Sequence, residues 1–243
     1  MPRLQRLGLL KTCLALAMLL AALAWGGANA VQASAAANGP GHVYAMTNEL
    51  TGNRIAVYDR AGDGTLTLAG TVPTGGLGSG AFEGSQNSLI LSPNSHLLFA
   101  VNPGSNDISV FKVGPAGLTL VDRTPSGGLT PTSLTLHANL LYVLNAMGIP
   151  NISGFTVGAA GTLSPLSGST RTLTGGSASV PAEVGFDPTG TVLAVTERNT
   201  RIIDTYTVGA DGRASGPTAN TSSGDEPFGF AFMTGVALSL IHI

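Results

Sequence analysis

The chain has 243 residues, with 11 Lys and Arg against 13 Asp and Glu and only 10% charged residues. Three of the basic residues fall in the first thirty positions, so the rest carries 8 basic against 13 acidic side chains, net −5. That balance leaves no basic patch for phosphates and argues against nucleic acid as a partner. The only cysteine, Cys13, rules out a disulfide framework and a thiolate metal site.

Residues 1–30 read as a secretory signal peptide. Arg3, Arg6 and Lys11 form a basic start, Leu14 to Ala24 is almost wholly apolar, and Ala28-Asn29-Ala30 offers the small-x-small pattern of a cleavage site. Lys11 and Thr12 interrupt the apolar run and argue against a retained membrane anchor. The mature chain is expected to be secreted, extracellular or periplasmic, and off the membrane once the signal is cut. Residues 31–41 read as a flexible mature N-terminus.

From there the sequence repeats itself. "VYAMTNELTGNRIAVYD" starts at Val43, "LFAVNPGSNDISVFKV" at Leu98, "LYVLNAMGIPNISGFTV" at Leu141 and "VLAVTERNTRIIDTYTV" at Val192. With the four phrases in step, Tyr44, Phe99, Tyr142 and Leu193 form one column, and Tyr58, Phe111, Phe155 and Tyr206 a second. A Gly-bearing turn and a short strand follow each phrase. One more apolar strand precedes each of the last three: "SLILSP" at Ser88, "SLTLHA" at Ser133 and "EVGFDP" at Glu183, with "GFAFMT" at Gly229 continuing the series.

Period-two alternation in short runs bounded by Gly, Pro, Asn and Asp predicts strands throughout and no amphipathic helix. Four strands per repeat of about 40–55 residues predict an all-β chain, a β-propeller of four-stranded antiparallel blades. A β-sandwich would not recur at so regular a period. The chain enters at the second strand of a blade, completes three more, and runs one strand into a fifth. Residues 42–235 are therefore read as about four blades in an open arc. "GFAFMT" could instead close a four-bladed ring. The tail 236–243, with no turn chemistry, reads as non-native or truncated.

The stretches "GHVYAMTNE", "NRIAVYD", "GDGTLTL", "LSPNSHLLFAVNPGSNDISVFKV" and "VGFDPTGTVLAVTE" resemble the lactonase-type seven-bladed propellers, which include 6-phosphogluconolactonase-like and carboxymuconate-cyclase-like proteins. The resemblance runs from about Gly41 to Phe232. It implies seven blades, hence a fragment here, and a funnel lined by His, Arg and Glu. The family commonly carries a His two residues after the Pro of strand one. The matching positions after Pro131, Pro181 and Pro227 are Ser133, Glu183 and Gly229, so Glu183 alone is ionisable and no funnel His is present.

Loops joining strands two and three, and strand four to the next blade, open on the funnel face, where propeller ligands bind. Glu183 stands where siblings carry small residues and is the candidate general base or acid. The plain alternative is a Glu paired with a loop donor. Arg198 and Arg201 are candidates to hold a carboxylate. Glu49, Glu83, Gln86, Glu197, Asp225 and Glu226 lie on the same face as candidate ligand-binding residues, each also readable as a solvated rim side chain. His96 and His137 fall in turns of the opposite face. Asp63-Gly64 is a hairpin turn rather than a calcium loop. "TGGLGSG" at Thr74 lacks the Lys and helix of a phosphate loop.

No metal or cofactor is implied. Two functions remain open: hydrolysis or isomerisation of a small lactone or cyclic carboxylate, or non-catalytic binding of a cell-surface glycan or protein. The full-length protein is expected to be a monomer.

Overall fold

A computed structural model describes residues 40–81, 84–232 and 238–242. The reading of residues 1–30 falls outside them, as does that of 31–41 except for Pro40 and Gly41, the latter opening the first strand. Glu83 also falls outside them.

The strands run β1 Gly41–Met46, β2 Arg54–Arg60, β3 Leu66–Pro73, β4 Leu89–Leu91, β5 Leu97–Asn102, β6 Asp107–Gly114, β7 Gly117–Pro125, β8 Leu129–His137, β9 Leu140–Met147 and β10 Asn151–Val157. They continue as β11 Leu163–Pro165, β12 Arg171–Thr172, β13 Pro181–Phe186, β14 Val192–Glu197, β15 Ile202–Val208, β16 Ala214–Thr221, β17 Pro227–Phe232 and β18 Leu238–His242. All pair antiparallel in chain order, as sheets β1-β2-β3, β4-β5-β6-β7, β8-β9-β10-β11, β13-β14-β15-β16 and β17-β18, with β12 also on β10. These are the blades of a partial propeller, entered at a second strand. Among the described residues no helix is long and apolar enough to cross a membrane.

The core sits between the sheets. Alternate residues of one strand point into different interfaces, because a strand puts successive side chains on opposite faces. In β5, Leu98 and Ala100 join Ile55 and Phe111 against blade one, whereas Phe99 and Val101 join Leu134, Leu141 and Phe155 against blade three. In β9, Tyr142 and Leu144 turn to blade four, beside Val184, Val195 and Tyr206. Both faces of a middle blade are thus covered only by its neighbours. Each fully buried aromatic there contributes on the order of 2–3 kcal/mol.

Two details differ from the sequence reading. Leu193 pairs with Tyr206 just as Leu98 pairs with Phe111 and Leu141 with Phe155, so the fourth member of the Tyr44 column is Ala194. Its cross-strand neighbour is Gly185, where a Cβ would lie 2.7 Å from the ring of Phe230. The facing blade supplies the aromatic, so a small residue is required. The chain also runs two strands, not one, into the fifth sheet: Leu238–His242 pairs with β17, and "GFAFMT" does not add to the first sheet. Five alternating residues with neither Gly nor Pro can continue a ladder without turn chemistry of their own.

Candidate functional site

Three innermost strands begin alike. β8, β13 and β17 each carry a proline, Pro131, Pro181 and Pro227, and in each the register slips just after it. Proline has no N–H to give the ladder, so such positions collect bulges, and bulges re-aim side chains. Here the re-aimed residues cap the next blade. Val184 donates its N–H to Ser133 Oγ at 3.1 Å, and Phe230 donates its N–H to Glu183 Oε2 at 2.7 Å. One blade earlier, Leu134 N–H bonds the carbonyl of Asn87 at 2.9 Å.

Glu183 is 5% exposed. Its second oxygen, Oε1, accepts from Asn87 Nδ2 at 2.6 Å. Burial pushes its carboxyl up to about 7, opposed by the Phe230 N–H and the Asn87 amide. That places a carboxylate near neutral pH with no cation beside it among the described residues, the condition a general base or acid needs.

Asn87 arrives from far away in the chain. The connection between β3 and β4 spans residues 74–88, longer than 126–128, 173–180 and 222–226, which join the later blades. Its first half docks on blades one and two. A Cβ on Gly76 would collide with Asn102, one on Gly78 with the Asn48 carbonyl, and one on Gly80 with Leu50. Close backbone approach explains these glycines. Its second half reaches blade four and the fifth sheet. Gln86 donates its N–H to the Ala182 carbonyl at 3.1 Å and lays its side chain along Gly229, while Gly84 packs against the Arg198 guanidinium. Arg198 lies over the Phe228 ring, 5.7 Å from its centre, and its Nε bonds Val180 O at 3.4 Å. Glu183, Gln86 and Arg198 are therefore joined through residues 84–87.

The other candidates stand apart from that group. Arg201 pairs with Asp225 at 3.0 Å, both more than 60% exposed. Glu226 and Glu49 are exposed, and the Glu49 carbonyl accepts the Gly78 N–H.

Glu197 is fully buried. It ends β14 where sibling blades have Asn102 and Asn145, and Asp204 occupies the place of Ser109 and Ser153. In blade two, Asn102 donates to Ser109 Oγ at 2.7 Å and accepts from Thr74 Oγ1 at 2.7 Å, pinning the incoming loop. Blade four does the same with carboxyls. Glu197 accepts from Gly175 N–H and Thr200 Oγ1, and Asp204 from Thr174 N–H at 2.8 Å. Burial holds Glu197 above the usual carboxylate range, with a further rise from the adjacent Asp204. Burial and these two carboxyls push the Tyr206 hydroxyl up as well.

Asn87, Asp204 and Phe228 were missed by the sequence reading. The paired phrases Pro73-Thr-Gly-Gly-Leu77 and Pro125-Ser-Gly-Gly-Leu129 could have revealed the loop docking. Nothing local marks Asn87. His137 closes β8 against Phe186 and Gly190, and His42 pairs with Asp59 at 3.0 Å. Asp63 caps its own turn through the Thr65 N–H at 2.9 Å. Among the described residues, no three His, Cys, Asp or Glu side chains gather where they could hold a metal ion.

Blade after blade covering its neighbour defines a partial β-propeller. Residues 35–148, just under half of the chain, match the family described as "Lactonase, 7-bladed beta-propeller". No curated protein matches the sequence. Among solved structures it is similar to the periplasmic gluconolactonase of Pseudomonas aeruginosa, at 20% identity and TM-score 0.60 over 80% of this chain and 58% of that one. A protein of Lactobacillus plantarum matches at 16% and TM-score 0.62, over 85% and 68%. A functionally unknown protein of Desulfotomaculum acetoxidans matches at 17% and TM-score 0.52, over 78% and 54%. At these identities the likeness is one of fold. The chain spans from about half to two thirds of the length of these structures.

Proposed function

We propose that the protein is an exported lactonase-like propeller that opens or isomerises a small lactone or cyclic carboxylate, with Glu183 as the proton-transfer group. The observation that carries this is the buried Glu183 carboxyl poised at about 7, with no cation partner among the described residues. In hydrolysis it takes a proton from water as the water oxygen bonds the lactone carbonyl carbon. It returns that proton to the ring oxygen as the C–O bond breaks. Arg198 holds the carbonyl oxygen or a substrate carboxylate, its guanidinium oriented by Phe228. The gluconolactonase among the structural neighbours supports the reaction class, and its periplasmic location, with the signal-like residues 1–30, supports export.

Incubating the full chain with a panel of five- and six-membered lactones tests this. Turnover that falls at least about 100-fold in kcat on Glu183→Gln is expected. Turnover unchanged in that variant would remove Glu183 from the reaction.

A second reading, a binding propeller for an extracellular protein or glycan, has its own observation. The exposed side chains of Leu50, Leu77, Leu129 and Met147 line a groove of about 420 Å³ with Pro103 and Gly104. These residues belong to the two-to-three and inter-blade loops of blades one to three. Four exposed apolar side chains, with Ser79, Asn106 and Thr130 among them and no charged residue, suit a protein partner better than a glycan. Inert behaviour toward every lactone, together with saturable binding weakened by Leu129→Asp, would decide for it.

A further inference from the structure

The two oxygens of Glu183 differ in what holds them. Oε2 takes the Phe230 N–H, the same duty Ser133 performs for Val184 one blade earlier. That bond belongs to the fold. Oε1 has a single hydrogen-bond partner among the described residues, the side-chain amide of Asn87, at 2.6 Å.

Asn87 is built into place. Its backbone is left-handed, with φ of 58°, a conformation Asn tolerates better than any side chain branched at Cβ. Its carbonyl accepts the Leu134 N–H at 2.9 Å, and the preceding residue, Gln86, bonds Ala182 O at 3.1 Å. The backbone is thus pinned from blade three and from blade four. Between those pins the amide points at Glu183, 96 residues away in sequence. Glu183 itself is 5% exposed whereas Asn87 is an exposed residue.

We infer that Asn87 is the positioning residue for Glu183: its amide fixes Oε1 as the oxygen that exchanges a proton with water or substrate, while Oε2 stays committed to the blade edge. This rests on the lactonase-like reading for its catalytic meaning, and on the hydrogen-bond geometry alone for the pairing. The balance at Glu183 supports it. Burial raises its proton affinity, the Phe230 N–H and the Asn87 amide lower it, and no charged side chain among the described residues enters. Losing the amide leaves burial opposed by one donor instead of two.

Two variants of the full chain separate the amide from the fold. Asn87→Gly keeps the left-handed backbone, and with it the Leu134 bond, but removes the amide. Asn87→Asp keeps the shape and replaces the donor by an acceptor. The Glu183 carboxyl carbon, labelled with carbon-13 and assigned by its loss in Glu183→Gln, is titrated by NMR. Its midpoint should rise by about one pH unit in Asn87→Gly and further in Asn87→Asp. If the chain turns over a lactone, the acidic limb of kcat/KM against pH should rise by the same amount while KM holds.

A midpoint unmoved in Asn87→Gly overturns the inference, even if Asn87→Asp shifts it, because a charge can act without a hydrogen bond. A wild-type chain inert to every lactone defeats the lactonase-like reading instead, and the NMR titration still decides for or against the pairing.

Discussion

Ser133 and Glu183 hold the same position in successive blades, two residues after the strand-one proline, and both accept an N–H from the next blade's innermost strand. Serine does this with one oxygen. Glutamate does it with one and has another to spare. Removing the acceptor at Glu183 leaves the Phe230 N–H unpaired in a mostly buried seam, at a cost of about 1–3 kcal/mol. Glu183→Ala should lower unfolding stability by that amount, whereas Glu183→Gln, which keeps a carbonyl oxygen, should stay within about 1 kcal/mol of wild type at pH 5. Denaturant melts of the two variants check this.

The same carboxyl sets a pH dependence. Its pKa rises from an ordinary 4.5 to about 7 on folding. The folded state therefore binds the proton more tightly than the unfolded one, and stability is lost as pH rises through that window. The loss relative to Glu183→Gln should be small at pH 4 and approach about 3 kcal/mol above pH 8. Parallel stability curves for wild type and variant from pH 4 to 8 would contradict the burial of this group.

Strand rhythm and turn residues were legible because each blade needs the same alternation to cover two neighbours; four runs between Val43 and Val208 show it. What was not legible is contact between blades that are not neighbours in the chain. The Asn87–Glu183 bond depends on the long connection between blades one and two touching blade four on its way, and no local pattern encodes that path. Glu197 misled for a related reason. A charged residue at a strand end reads as a rim side chain, yet here a docked loop covers it, and only register against Asn102 and Asn145 exposes the equivalence.

That equivalence makes a prediction of its own. At the place of Glu197 the sibling blades carry the neutral Asn102 and Asn145, so Glu197 is expected to hold best with its proton retained. Glu197 has its proton affinity raised by burial and by Asp204, so its stabilising share is present at low pH and is lost as pH rises through the raised value. Glu197→Gln keeps an acceptor for Gly175 and Thr200 without the charge. Its stability relative to wild type should increase steadily with pH, most visibly above the normal carboxylate range. Thermal melts at several pH values give the comparison, and a variant that loses ground as pH rises would contradict it.

The two arginines should separate. Arg201 and Asp225 form an exposed ion pair, and such pairs contribute little. Arg201→Ala is expected to leave turnover unchanged and stability within about 0.5 kcal/mol. Arg198, stacked on Phe228 beside residues 84–87, is expected to matter for substrate. Arg198→Ala should raise KM or cut kcat by about tenfold or more, as loss of a charged hydrogen bond to substrate would.

The Gly-rich stretch gives the sharpest structural test, because its sequence invites a ligand-binding explanation that geometry replaces. A Cβ on Gly78 would lie 2.2 Å from the Asn48 carbonyl carbon, and backbone on both sides cannot yield as a side chain can. Gly52, in the adjoining loop, has nothing within 4 Å of the same atom. Gly78→Ala should therefore destabilise by about 1–3 kcal/mol through overpacking, while Gly52→Ala should be nearly neutral. If residues 84–87 hold their place because residues 74–80 are seated, Gly78→Ala should also disturb the Glu183 site at a distance. The Glu183 carboxyl carbon reports this directly: its titration midpoint should shift in Gly78→Ala and not in Gly52→Ala. A destabilised Gly78→Ala with an unmoved midpoint would show that the two halves of the connection are anchored independently.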